Sequence, residues 1–236
     1  MSWLDRAVEE LGAIGLNAWG VAHSSELEGY RSAAVFGSGG GALWAAFEED
    51  LRANPRHLSD EDHPLDAFVR RAVSRLELPA QCRVVRAAGD ETTFVDFRPL
   101  ALAAGLGWHS KLGLLMHPEH GPWMGLRVAI FTTEVLEVTG ALEGEGPCAG
   151  CPAPCSAACP VDAPGIPFDI KACGRFHHTS DDCKHTCHAR SACPEGAAHR
   201  YPEAAIRYHY DRRSGRKELA DRLGIEDRRE GSGPYW

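Results

Sequence analysis

No apolar run in this chain approaches the ~20 residues needed to span a bilayer. The N-terminus, Met1-Ser2-Trp3-Leu4-Asp5-Arg6, lacks a cationic segment followed by an apolar one. Neither a spanning helix nor a signal peptide is expected, and the sequence reads as cytoplasmic, with no membrane partner. Positive charge is also short: 25 Lys and Arg stand against 33 Asp and Glu, a formal net charge of −8. General nucleic-acid binding needs a cationic footprint, so nucleic acid is not an expected partner. Residues 196–236 are mildly basic, nine Arg and Lys against seven Asp and Glu, which leaves about −10 for the rest. Cysteine is nearly absent from the first 147 residues, where Cys82 stands alone.

The remaining eight of the nine cysteines fall within 46 residues. They read Cys148-x2-Cys151-x3-Cys155-x3-Cys159-Pro160, then Cys173, Cys183, Cys187 and Cys193-Pro194. In a reducing compartment such a cluster signals metal more than disulfides. A cubane needs four soft thiolates around one small body. Short spacings let one loop wrap three corners, and in two-cluster ferredoxins the cysteine before proline serves the other cluster. The expected sets are Cys148, Cys151, Cys155 and Cys193 for cluster I, and Cys159, Cys173, Cys183 and Cys187 for cluster II. Two zinc sites would also use eight thiolates, often as paired Cys-x2-Cys knuckles. Here a single Cys-x2-Cys occurs and both sets close in Cys-Pro, so two 4Fe-4S clusters are favoured over zinc and over disulfides. His177, His178, His185 and His188 then read as solvated residues or as hydrogen-bond partners near the clusters.

Ahead of the cysteines, residues 2–14 put Leu4, Ala7, Val8, Leu11 and Ile14 at helical spacing, with Ser2 and Asp5 as a capping box. Residues 16–22 and 32–36 read as strands. Gly37-Ser38-Gly39-Gly40-Gly41 follows, then a helical face of Leu43, Phe47 and Leu51. Such a turn presents backbone N–H groups, which makes Gly39 and Gly40 candidate contacts for a polar group of a cofactor. A dinucleotide fold would need an acidic strand end near residues 55–62, which read as a loop. Residues 64–78 form the most regular helix, with Pro64 at its first turn. Residues 82–87 and 92–97 read as a hairpin around Gly89-Asp90-Glu91, Cys82 being an inert small hydrophobe in its strand. A short helix over 99–104 stops at Gly105. Two strands, 112–116 and 124–132, flank a turn from His117 to Trp123. This alternation predicts an α/β sandwich around a mixed sheet. Gly140 to Pro147 is the best boundary. It divides a unit 1–140 from a cysteine-rich unit 147–200, and a helical tail follows over 201–236. The tail is weakly helical over 202–212 and 216–223 and frayed at Gly231-Ser232-Gly233-Pro234.

Three stretches in order resemble the epoxyqueuosine reductase family: Ala104-Gly105-Leu106-Gly107-Trp108-His109-Ser110-Lys111, then His117-Pro118-Glu119-His120-Gly121-Pro122-Trp123, then the first cysteine set. Glu10-Leu11-Gly12 through Trp19-Gly20-Val21-Ala22 is similar to the family's opening segment, so the resemblance covers most of residues 5–195. It implies an α/β, mixed-sheet, flavin-reductase-like domain that binds cobalamin, like the cobalamin chaperones and the reductive dehalogenases. A small ferredoxin-like domain with two 4Fe-4S clusters would follow. It also implies that Asp96, in Asp96-Phe97-Arg98-Pro99, stands where the family has its catalytic acid. The chain departs from the family in a shorter spacing from Asp96 to Gly105 and a shorter interval from Cys173 to Cys183. It also lacks, within these 236 residues, the long helical-repeat region used for tRNA. Arg207, Arg212, Arg213, Arg216 and Lys217 are a thin substitute for that region.

The expected function is an iron–sulfur oxidoreductase whose two clusters pass electrons to a bound cobalamin. The outcome would be reduction of the corrinoid itself or of a small substrate. Trp108, His109, Ser110 and Lys111 are the candidate cofactor contacts, with Gly39 and Gly40 as a second group and Asp96 as the candidate catalytic residue. Electrons would come from an external donor such as a ferredoxin, a flavodoxin or a reductase. Two other readings stand beside it. One is an epoxyqueuosine reductase acting on tRNA, with Asp96 protonating the leaving oxygen. The other is a non-enzymatic ferredoxin-type carrier, which predicts no small-molecule pocket.

Overall fold

The computed structural model describes residues 1–59, 61–88 and 93–228. Helix α1 (Trp3–Ala13) starts at a reciprocal capping box, Ser2 accepting from the Asp5 amide and Asp5 from the Ser2 amide. Strands β1 (Ala18–His23) and β2 (Ser32–Gly39) follow, then α2 (Ala42–Ala53), the single turn α3 (Arg56–Ser59) and α4 (Pro64–Val73). Next come β3 (Cys82–Arg86), α5 (Phe97–Ala103), the two-residue strands β4 (Trp108–His109) and β5 (Leu115–Met116), and β6 (Met124–Thr132). The cysteine-rich part holds α6 (Pro154–Ala158), α7 (Ile170–Thr179) and α8 (His188–Ala192), and the chain returns through α9 (Glu203–Tyr210) and α10 (Arg212–Leu223).

The main sheet has strand order β1-β2-β6-β3. Side chains alternate across a strand, so Ala34 and Phe36 face one core while Ala33 and Val35 face the other. The first core is closed by α1, α2 and α4, with Leu11, Phe47, Leu51 and Phe68 inside it. The second lies under α5, through Phe97, Leu100 and Ala101. Helices on both faces bury all eight residues of β2. Among the described residues no helix is long and apolar enough to cross a membrane.

Several expectations change. Every strand pair is antiparallel, so the sheet is not mixed. An apolar run such as residues 32–36 reads like a parallel-sheet strand, but here it is covered from two sides by helices. The expected hairpin partner of β3 is not a strand over its described residues 93–96; β3 pairs with the nine-residue β6 instead. The turn residues of that hairpin, 89–92, lie outside the described residues, as does the stretch from Gly231 to Pro234. The run 112–116 is mostly turn: Gly113 takes φ +68°, and only β5 forms, pairing with β4 rather than β6. Helix α4 stops at Val73, and Leu76 packs on the core from the turn beyond it.

The largest difference lies at the C-terminal end. Residues 201–236 read as a tail, yet α9 and α10 complete the first core with Ala205, Tyr208, Leu219 and Ala220. Arg216, 2% exposed, locks them there. Its guanidinium donates to the carbonyls of Leu58, Glu61 and Asp62 and to both carboxylate oxygens of Asp227, at 2.7–3.2 Å. A helix whose key buried residue is an arginine has little apolar periodicity, which is why it reads as weak.

Candidate metal and cofactor site

The cysteine-rich part needs little regular backbone, because its thiols are set by turns and helix ends. Ala153, in the left-handed region at φ 56°, turns the chain into α6, which carries Cys155 inward and ends at Cys159. Helix α7 carries Cys173, and the Cys187 thiol caps α8 by accepting from the Arg190 amide at 3.4 Å. Cys193 closes α8.

Cys148, Cys151, Cys155 and Cys193 come together around one small cavity, backed by Leu112 and Met116. Cys159, Cys173, Cys183 and Cys187 all line a second cavity of about 1030 Å³. Burial pushes the Cys173 thiol up, and Cys187 and Cys159 add to the effect. Burial does the same to Cys183, reinforced by Cys187, Cys159 and Cys173. The Cys193 thiol is raised by burial and by Cys148 and Cys155. The repulsion therefore runs within each quartet. Thiols crowded in this way keep their protons until a metal displaces them, since only the thiolate ligates. Amide donors also face the sulfurs: Ala163 donates to Cys159 at 3.4 Å, as Arg190 does to Cys187. Hydrogen bonds of this kind are one lever on a cluster's potential.

Histidines brace the second quartet. A ring nitrogen of His177 lies 3.0 Å from the Cys183 carbonyl, and one of His188 lies 3.0 Å from that of Asp182. Two further residues gave no signal in sequence. Tyr210, from α9, is half-buried beside Cys187, and desolvation followed by that thiol pushes its phenol up to about 12. Arg190 donates twice to the Pro122 carbonyl, at 3.1 and 2.6 Å, and stacks over Trp123 and Tyr201 at 4.5 and 4.8 Å. It fastens the cysteine-rich part to the sheet domain. Both contacts are long-range products of packing, invisible to motif spacing.

The expected cofactor contacts separate. His109 and Ser110 line the large cavity, whose other walls include Ile166, Phe168 and Phe176. The Ser110 hydroxyl is committed locally: it donates to the Leu114 carbonyl at 2.7 Å and accepts from the Leu112 amide. Trp108 turns away, donating from Nε1 to the Glu143 carbonyl at 3.1 Å, with its ring against Gly146. A Cβ at Gly146, which also has φ +74°, would sit 2.5 Å from that ring. Lys111 lines the first quartet's cavity. Gly39 and Gly40 are in neither cavity; they pack on His120 and His199. Asp96 caps α5 through the Arg98 amide at 3.0 Å and lies on the rim of the large cavity, where among the described residues the lining holds no other carboxylate. Cys82 sits in β3, half-buried, its thiol raised by burial.

A two-faced antiparallel sheet domain joined to a module with two cysteine quartets is the class that fold and site define. The chain is similar to the epoxyqueuosine reductase of Synechococcus sp. (strain CC9605), 39% identical over 94 residues, which are 39% of this chain and 28% of that protein. The match thus spans well under a third of that relative's length. No protein-family model matches the chain. Among solved structures, a selenomethionine-labelled epoxyqueuosine reductase shares the fold with a TM-score of 0.54 at 15% identity, covering 97% of this chain and 77% of that one. The Bacillus subtilis epoxyqueuosine reductase gives 0.50 at 15% identity, covering 85% and 67%. A reductive dehalogenase, whose structure suggests a mechanism for B12-dependent dehalogenation, gives 0.51 at 16% identity, covering 89% and 35%. The chain is thus epoxyqueuosine reductase-like, in sequence over the matched stretch and in fold over nearly its whole length, as its motifs predict.

Proposed function

We propose that this chain is a cobalamin- and iron–sulfur-dependent reductase, with a flavin-reductase-like domain for the corrinoid and a ferredoxin-like module for two 4Fe-4S clusters. Cluster I would be held by Cys148, Cys151, Cys155 and Cys193, and cluster II by Cys159, Cys173, Cys183 and Cys187. The observation that carries the reading is the large cavity: the second quartet shares its lining with Asp96 and His109. At about 1030 Å³ it matches the upper end of the ~300–1,000 Å³ usual for ligand pockets, room for a cofactor rather than a small substrate alone. The crowding of the thiols fits a metal–sulfur body: four neighbouring thiolates would repel one another, and the positive charge of bound iron offsets that repulsion as it displaces the protons.

The chain's own residues would do four things. The thiols hold the clusters. The amides of Ala163 and Arg190 bond two ligand sulfurs of cluster II. The apolar wall of Ile166, Phe168 and Phe176 excludes water from the bound cofactor. Asp96, the lone carboxylate among the described residues of the lining, would hold or move the proton taken up when a substrate bond is reductively cleaved; reduction of the corrinoid alone would need none. Bound cobalamin would supply the reducing metal centre itself. An external ferredoxin, flavodoxin or reductase would supply electrons.

Anaerobic reconstitution with iron, sulfide and hydroxocobalamin, followed by gel filtration, tests the assignment. Expected are about eight irons per chain and corrinoid absorption that co-elutes with the protein. A chain that keeps iron but no corrinoid overturns the cofactor assignment and leaves a ferredoxin-type carrier.

The sequence match favours a second reading, reduction of epoxyqueuosine in tRNA. Against it, the basic residues expected to contact nucleic acid are partly spent inside the fold. Arg216 is buried on Asp227, Arg207 pairs with Glu218 at 3.3 Å, and Arg212 lies over the Tyr208 ring. Unchanged queuosine in a strain lacking the gene would reject this reading.

A further inference from the structure

Outside both cysteine cavities, the turn between β5 and β6 and the segment after Cys193 bring three potential ligands together. One donor atom each from Glu119, His120 and His199 lie within 4.8 Å of one another. We infer that they form a binding site for a divalent transition-metal ion of the zinc type, which clips the turn 117–121 to the segment 193–199.

His120 is the fixed member. It is 5% exposed, its ring stacks on that of His117 at 4.6 Å and 20°, and it meets His199 edge-on at 4.8 Å. Its Nδ1 is buried without a hydrogen-bond partner. A buried polar atom without a partner costs free energy, and a metal ion is one way to give this ring a partner. Gly39 makes room for it, since a Cβ there would lie 1.8 Å from the ring. His117 holds the turn rather than ligating: its Nδ1 accepts from the amides of Glu119 and His120 at 3.1 and 3.2 Å. That contact shapes the loop on which two of the three ligands sit.

The donor set decides the ion. Two imidazoles and one carboxylate suit a borderline cation such as zinc and leave a fourth position for water. Zinc bonds of about 2.0–2.2 Å imply ligand–ligand edges of roughly 3.3 Å. The separation of His199 Nε2 from Glu119 Oε1, 3.8 Å, is near that edge. The rest of the closure falls to His199 and Glu119, whose side chains are 35% and 66% exposed and free to move. His120 stays where packing holds it. The ion would sit six residues past Cys193, joining the cysteine-rich part to the sheet domain on the side where Gly121 lies against the backbone of Glu195 and Gly196.

The test uses the full chain, purified without oxygen and equilibrated with zinc. Wild type is compared with His199→Ala and Glu119→Gln, both chosen because their side chains are partly exposed and the fold does not depend on them. The cysteines are unchanged in all three proteins, so any zinc they hold cancels in the comparison. Wild type is expected to bind about one zinc more than His199→Ala, with equal iron content. Glu119→Gln should weaken that zinc by at least ~10-fold in chelator competition. Cobalt(II) at this site should show weak visible bands without the near-ultraviolet thiolate absorption. Equal zinc content and affinity in all three proteins would overturn the inference. So would a difference that appears only together with lost iron, since the substitutions would then be acting through the cysteines.

Discussion

The sheet domain and the cysteine-rich module solve the same problem with different materials. The sheet domain has two hydrocarbon cores, with Phe36, Phe47, Phe131 and Ile130 fully buried. The module contributes three residues to its small core, Cys155, Ala189 and Cys193, which pack on Leu112 and Met116 of the sheet domain. Helix α7 buries none of its ten residues. Burial at ~25 cal/mol per Å² stabilises the first region and offers the second almost nothing. A module of this kind is held by what its thiols bind, as small metal domains are. The sheet domain should therefore be insensitive to metal, and the module should depend on it.

The sharpest way to break that contrast is to remove the iron of the proposed clusters. Chelation under reducing conditions should raise amide exchange across residues 148–193 by at least about 100-fold, equivalent to ~2.8 kcal/mol. Amides of β2 and β6 should keep their protection. Loss of protection in both regions together would show one cooperative unit and remove the distinction.

Next in size is Arg216, which guards the sheet domain from the C-terminal side. Arg216→Ala removes the buried guanidinium's bonds to Asp227 and to the carbonyls of Leu58, Glu61 and Asp62, and should cost about 3–5 kcal/mol in denaturant unfolding. Iron content of the folded fraction should not change, because the module draws nothing from this contact. A variant that also loses its clusters would show that α9, through Tyr210 beside Cys187, couples the two regions more tightly than the core lists suggest.

Legibility followed the same division. Where a residue's job is local, sequence was enough. The Ser2–Asp5 box caps α1, and Leu43, Phe47 and Leu51 face the core. Where the job depends on distant chain, it was not. Nothing around residues 32–36 tells a strand covered by helices on two faces from one in a parallel sheet. Nothing in α10 announces that a charged residue is as deeply buried as its leucine, Leu219. The loop 108–111 reads as a single contact surface, but His109 and Ser110 line the large cavity, Lys111 lines the first quartet's cavity and Trp108 turns to Glu143 and Gly146, because β4 ends at His109 and the chain turns beyond it. Gly39 and Gly40, expected to meet a polar group of a cofactor, pack instead on imidazoles of the same chain, His120 and His199.

A smaller effect comes from His209, which sits where the regions meet. Burial, with Arg127 and Arg190 beside it, lowers its pKa from 6.5 to about 3. Between those values the unfolded chain binds a proton that the folded chain does not, so stability is present above pH 6.5 and falls as pH drops toward 3. The slope should reach about 1.4 kcal/mol per pH unit from this residue. His209→Asn should flatten it, measured as denaturant midpoint against pH at constant iron content. An unchanged slope would place the acid sensitivity in the module's carboxylates and not at the junction.

The smallest expected effect on stability is the most informative about chemistry. Asp96 caps α5 and also reaches the large cavity from the sheet domain's side. Asp96→Ala should cost about 1 kcal/mol from the lost cap. Asp96→Asn should cost close to nothing, because asparagine caps as well as aspartate. Asparagine cannot hold or donate the carboxyl proton. If Asp96 serves the reaction, the asparagine variant keeps its melting temperature, iron and corrinoid, yet loses roughly 10²–10⁴-fold in turnover. If turnover in Asp96→Asn equals wild type while Asp96→Ala is slower in proportion to its lost stability, Asp96 is a helix cap and nothing more. The proton then has to come from the histidines of the cavity wall, His109 first among them.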